Sequence, residues 1–118
     1  MDYMLMFYET AHDFAQRADP KAGEAHTGAW MAYIGSIAAA GAMTSGNGLQ
    51  PTTLATTVRL RAGKRQVQDG PFAETREHLG GYVIVNVDSL DKALEWAARA
   101  PCAETGGVEV RPVIPRLA

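Results

Sequence analysis

A chain of 118 residues, 47% hydrophobic and 20% charged, is long enough for one domain with its own core and too apolar for disorder throughout. Its formal net charge of −2 gives no general attraction to nucleic acid or to an anionic membrane. Cys102 is the single cysteine, which excludes an internal disulfide and a cysteine-based metal site within the chain and points to a reducing, cytoplasmic setting.

The opening run Tyr3-Met4-Leu5-Met6-Phe7-Tyr8 is continuously apolar and lacks a basic flank, so it reads as a strand covered on both faces and not as a signal peptide. No stretch approaches the roughly 18 apolar residues of a membrane span. A polar stretch with His12 and Asp13 follows. Asp19-Pro20 then predicts an N-cap and a first helical residue. Trp30, Ile34, Ile37 and Ala38 recur at steps of three and four residues, and Gly41 supplies the C-terminal stop. Residues 42–45 form a short strand that Gly46-Asn47-Gly48 breaks.

Residues 55–61 alternate, with Val58 and Leu60 against Thr57, Arg59 and Arg61. Residues 65–68 answer them across an Ala62-Gly63-Lys64 turn, predicting a hairpin with one wet face. The basic group Arg59, Arg61, Lys64 and Arg65 on it is a solvated face. Residues 69–79 resemble a long functional loop, in which Phe72 is expected to plug into the core. Tyr82-Val83-Ile84-Val85-Asn86-Val87 is the strongest strand signal. Asp88 or Ser89 caps a second helix with Leu90, Ala93, Leu94 and Ala97 on one stripe, ended by Pro101. Residues 108–114 make a last strand, in which Pro112 favours an edge position or a bulge.

The order β-α-β-hairpin-β-α-β describes a single α+β domain over residues 1–118, of the ferredoxin-like kind, with helices on one sheet face. The other face needs cover, and a second copy of the chain would supply it.

The segment Asp69-Gly70-Pro71-Phe72-Ala73-Glu74-Thr75-Arg76-Glu77, followed by Leu79-Gly80-Gly81-Tyr82, resembles the signature of the DGPF branch of the YCII-related family. Gly48-Leu49-Gln50-Pro51, Thr56-Thr57-Val58-Arg59 and Val108-Glu109-Val110-Arg111-Pro112-Val113 are similar to the same pattern. The likeness spans nearly the whole chain and is weakest over residues 9–30. It implies a ferredoxin-like fold paired into a dimeric α/β barrel. It also implies activity through a His–Asp pair near a cleft. A competing implication is a non-catalytic regulatory or interaction module that acts with an extracytoplasmic-function sigma factor. The sequence carries no helix-turn-helix and no basic recognition helix, so direct nucleic-acid contact is not expected.

Three residues are the candidates for acid–base work on a small metabolite: Asp69, His26 and Glu74. An aspartate at a turn ordinarily binds the N–H two residues on, but that residue is Pro71, which has none, so the Asp69 carboxylate is left for another partner. His26, one turn before Trp30, would be a general base oriented by Asp69. Glu74 is a second acid close enough to split the two carboxyl pKa values. His12 and His78 are surface residues. No His-x-x-x-His or Glu-x-x-His spacing supports a metal, and no glycine-rich phosphate loop supports a nucleotide, so no cofactor is expected. The cleft is expected between the long helix and the sheet, lined from the first strand, the long helix and the Asp69-Gly70-Pro71-Phe72 loop.

Overall fold

Tyr3, Leu5, Phe7 and Glu9 are buried along β1 (Asp2–Thr10), and the residues between them are half-buried. That period of two belongs to a strand with one face on a core, where the unbroken apolar run predicted cover on both. The computed structural model describes residues 1–72 and 75–116.

Thr10 ends β1 and turns the chain into α1 (Ala11–Gln16), accepting the Asp13 N–H with its side chain. Sequence periodicity missed this helix because none of its residues is buried. Asp19 Oδ1 accepts from the N–H groups of Lys21 and Ala22, as an N-cap does, although α2 (Ala22–Ala39) begins beyond Pro20. Those two bonds hold the Asp19 carboxyl below its usual range. Gly41 ends the helix with a φ of +71°, open to glycine at no steric cost.

The second strand, β2 (Met43–Gly48), does not stop at Gly46. A Cβ on Gly46 would lie 2.9 Å from the Tyr82 carbonyl oxygen, so glycine here allows close pairing and does not break the strand. A register shift between Met43 and Ser45 marks the irregularity. The next pair, β3 (Thr56–Arg61) and β4 (Lys64–Asp69), bond only to each other. Ala62 and Gly63 make their turn at φ +53° and +75°. Both faces of this hairpin meet solvent, not one. Phe72 is exposed, with the Arg59 guanidinium 4.2 Å above its ring, and not plugged into the core.

β5 (Glu77–Asn86) starts five residues before the predicted strand, which shortens the loop after β4. Ser89 caps α3 (Leu90–Ala98), whose Ala93 and Ala97 are buried while Leu90 and Leu94 are exposed. β6 (Gly107–Pro112) closes the chain order. The main sheet runs β2-β5-β1-β6, antiparallel throughout, with β6 at an edge, one of the two positions Pro112 favours. Leu5, Val83 and Val85 meet Tyr33 and Ile37 of α2 and Ala93 of α3 in one core. This is the ferredoxin-like fold, with the β3–β4 hairpin inserted between β2 and β5.

Candidate functional site

Glu9 continues the buried row of β1, so its carboxylate points into the core face of the sheet. It is 1% exposed, and a carboxylate so buried needs charged or hydrogen-bonding partners. Two arrive from different segments. Arg17, which follows α1, donates from Nη2 to Glu9 Oε2 at 2.6 Å. His26, on the second turn of α2, has Nε2 at 3.1 Å from Glu9 Oε1. Each carboxylate oxygen therefore has its own partner. Arg17 also donates to the carbonyls of Leu49 at 2.8 Å and Gly80 at 3.3 Å, and its guanidinium lies 4.5 Å from the Phe14 ring centroid.

Gly80 makes this cluster possible. A Cβ there would run into Glu9 Oε2 and come within 2.9 Å of Arg17 Nη2. Its neighbour Gly81 lies against β2, where a Cβ would sit 2.9 Å from the Asn47 carbonyl oxygen. The Gly80-Gly81 pair thus marks tight packing.

The cluster forms one wall of a cavity of about 670 Å³. Phe7, Trp30, Ile34 and Met43 give most of the lining its apolar character, and Tyr82 and Asn47 close the β5–β2 side. Phe7 and Trp30 meet edge to face at 4.9 Å between ring centroids, and Tyr33 buttresses both at 5.9 Å. Burial pushes the Tyr33 hydroxyl above the usual phenol range, and it donates to the Trp96 carbonyl. Burial and then the negative charge of Glu9 push the Cys102 thiol up to about 12, so it is neither a thiolate nor a nucleophile near neutral pH.

With Nε2–H donated to Glu9, the carboxylate holds the orientation of the His26 ring and leaves Nδ1 free to meet a ligand. Among the described residues, His26 has no second hydrogen-bond partner. The arrangement can accept a proton and return it.

Of the predicted residues, His26 lies at the cavity and Asp69 does not. Asp69 ends β4 on the exposed hairpin, opposite Thr56, and makes no side-chain hydrogen bond among the described residues. Within one chain the structure does not bring Asp69 and His26 together, and the carboxylate on His26 is Glu9. The turn after Asp69 is held by Gly70, whose N–H donates to the Ala55 carbonyl at 2.7 Å and whose carbonyl accepts from Thr57 Oγ1 at 2.8 Å. Glu74 lies outside the described residues. The loop of residues 69–72 does not line the cavity, contrary to expectation. His12 bonds Gln16 on the surface, and His78 is half-buried edge-on to Phe14. Glu9 and Arg17 were missed by sequence reasoning. The signal available for Glu9 was its phase, since it follows Tyr3, Leu5 and Phe7 at steps of two. No group of His, Cys, Asp and Glu side chains among the described residues has the geometry to hold a metal ion, and no helix among them is long and apolar enough to cross a membrane.

Fold and cavity together define a ferredoxin-like α+β protein with a pocket of small-molecule size, as ligand pockets usually occupy roughly 300–1,000 Å³. The chain belongs to the YCII-related family: the model of the YCII-related domain matches residues 1–116. It is 49% identical over 67 residues to an uncharacterised protein of Rhizobium meliloti (strain 1021), a match covering 55% of this chain and 54% of that protein. The aligned part therefore spans about half the length of that relative. Among solved structures, the chain is similar to a 5-chloro-2-hydroxyhydroquinone dehydrochlorinase from Burkholderia phenoliruptrix AC1100, in complex with 2,5-dihydroxybenzoquinone. The TM-score is 0.53 at 15% identity, over 97% of this chain and 94% of the other. A likeness at that identity shows the fold and leaves the chemistry to the site.

Proposed function

We propose that the chain binds a small, planar, hydroxylated ring compound in the cavity and moves a proton on it, with His26 as base and acid and Glu9 as the residue that orients it. The carrying observation is the buried Glu9 carboxylate 3.1 Å from His26 Nε2 on the wall of an apolar cavity. Arg17 lies 2.6 Å from the second oxygen of Glu9 and holds the carboxylate in place beside His26. His26 Nδ1 takes a proton from a ring hydroxyl, or from a carbon next to a carbonyl, and returns it to another atom of the same ring system. Phe7 and Trp30 offer flat apolar walls to such a ring. The ligand named for the dehydrochlorinase is of this shape, which supports the substrate class and not the reaction. Within the family we place the chain in the DGPF branch, on Asp69-Gly70-Pro71-Phe72. A cytoplasmic setting, where a single thiol stays reduced, agrees with this reading. A cavity with converging polar groups favours a metabolite-handling protein over an interaction module that partners a sigma factor.

Titration calorimetry with 2,5-dihydroxybenzoquinone and related hydroxylated rings tests it. The expected result is saturable one-to-one binding. His26→Ala should keep the fold and lower any turnover by about 100-fold or more. If none of these rings binds, or if His26→Ala binds and turns over as the parent does, the assignment fails.

We also propose that the chain acts as a homodimer joined through the open face of the main sheet. Met4, Met6, Tyr8 and Ile84 lie half-buried on strands whose other face holds the core, and a second copy would cover them.

A further inference from the structure

Two glycines line the cavity without a steric reason to be glycine. Gly35 stands inside α2, where glycine weakens a helix relative to alanine, and Gly48 ends β2. A Cβ at either would meet nothing within 4 Å, and neither has a positive φ. Gly46, Gly80 and Gly81 line the same cavity, but a Cβ on each of them would strike its neighbours. Strand register sets the direction at Gly48. It pairs with Gly81, two residues before the buried Val83, so a side chain there would rise from the core face of the sheet into the cavity.

The two glycines mark opposite ends of a polarity gradient. His26 and Thr27 stand with Glu9 and Arg17 at one end, and Leu49, next to Gly48, accepts from Arg17 there. One and two turns further along α2 come Trp30 and Ile34, with Phe7 and Met43 on the sheet side. Asn47 and Tyr82 bond each other at 3.0 Å on the opposite face of the sheet, because Tyr82 alternates with the buried Val83. Among the described residues, the far end therefore offers a ligand no polar side chain. From His26 to Gly35 the helix rises roughly 13 Å, at about 1.5 Å per residue. A cavity of about 150 Å³ already takes benzene. One ring beside His26 thus leaves most of the 670 Å³ unfilled.

The geometry points to a ligand longer than one ring: a hydroxylated ring seated on Gly48 beside His26, carrying an apolar substituent that runs along α2 to Gly35. This rests on the ring reading proposed above and adds the second half of the molecule to it. The missing side chain at Gly48 leaves the ring its seat, and the missing side chain at Gly35 leaves the substituent its length. A charged or strongly polar substituent would give up its hydration at that end without gaining a partner.

Titration calorimetry of the full chain with 2,5-dihydroxybenzoquinone, plain and carrying a 3-hexyl group, tests it. The parent should bind the hexyl compound about 100-fold more tightly than the plain ring. Gly35→Leu should erase that gain and leave the plain ring's affinity unchanged. Gly28→Leu, on the same helix but outside the cavity and equally free of contacts, should keep the gain. Gly48→Val should weaken both compounds by about tenfold or more. Leucine is a better helix former than glycine and valine a better strand former, so the thermal midpoints of these variants should match or exceed the parent's. A lower midpoint for Gly35→Leu or Gly48→Val would give that glycine a structural reason and overturn its assignment. Equal affinity of the parent for the two compounds, or a Gly35→Leu variant that keeps the gain, overturns the long ligand and leaves the ring reading standing. A Gly48→Val variant that binds both as the parent does overturns the seat at Gly48. A parent that binds neither compound overturns the ring reading and this inference together.

Discussion

One glycine decides whether the buried carboxylate has room. Gly80 lies beneath Glu9 and Arg17, and both would be displaced by a methyl group. Gly80→Ala should therefore lower stability by about 1–3 kcal/mol, the usual range for overpacking, seen as a lower urea midpoint. A midpoint equal to the parent's would mean that the Glu9–Arg17 pair shifts freely and is not fixed by its surroundings. His26, one turn before Trp30, was expected to serve the cleft if its helix face looked there, and it lines the cavity. Its partner was not expected. Asp69 drew attention because Pro71 denied it a backbone donor, but sequence spacing says nothing about how far a hairpin stands from a helix. Glu9 looked like the polar end of an apolar run, although its place two residues after Phe7 put it on the core face.

At the scale of elements, turn chemistry was the more readable part. Gly70 has a φ of +103°, a conformation that a side chain disfavours. Gly70→Ala should destabilise the chain by about 1 kcal/mol or more. A thermal midpoint at or above the parent's would remove the case for strain at the hairpin's root. The cap Ser89 and the stop at Gly41 were also legible, since each is a local hydrogen-bonding or steric rule, whereas α2 starts later than Asp19-Pro20 indicated. The short α1 was not, because a helix with no buried residue leaves no periodic trace. β2 was cut short for the opposite reason. Glycine weakens a strand in isolation, whereas Gly46 is required by the approach of β5, a contact made far along the chain.

For the whole molecule, the order of elements fixed the ferredoxin-like topology before any contact was seen, since short connections and antiparallel pairing leave few arrangements. Extent was less readable, because the hairpin's alternation is the same whether it lies on a body or stands apart. The open face of the main sheet leads to a separate expectation. Met6→Asp should shift light scattering of a dimeric parent towards the monomer, since an interface built on that face would bury over roughly 2,000 Å² in total. A variant that scatters as the parent does would place the interface elsewhere. The ion cluster at Glu9 has a consequence of another kind. Desolvating a carboxylate, a guanidinium and an imidazole together opposes folding, and buried groups of this kind can often be exchanged for apolar ones of similar volume with a gain in stability. Drift towards hydrophobic residues at Glu9, Arg17 and His26 would then yield a hardier protein with a silent pocket. Selection for robustness alone would erase these three residues, and selection for chemistry alone would keep them.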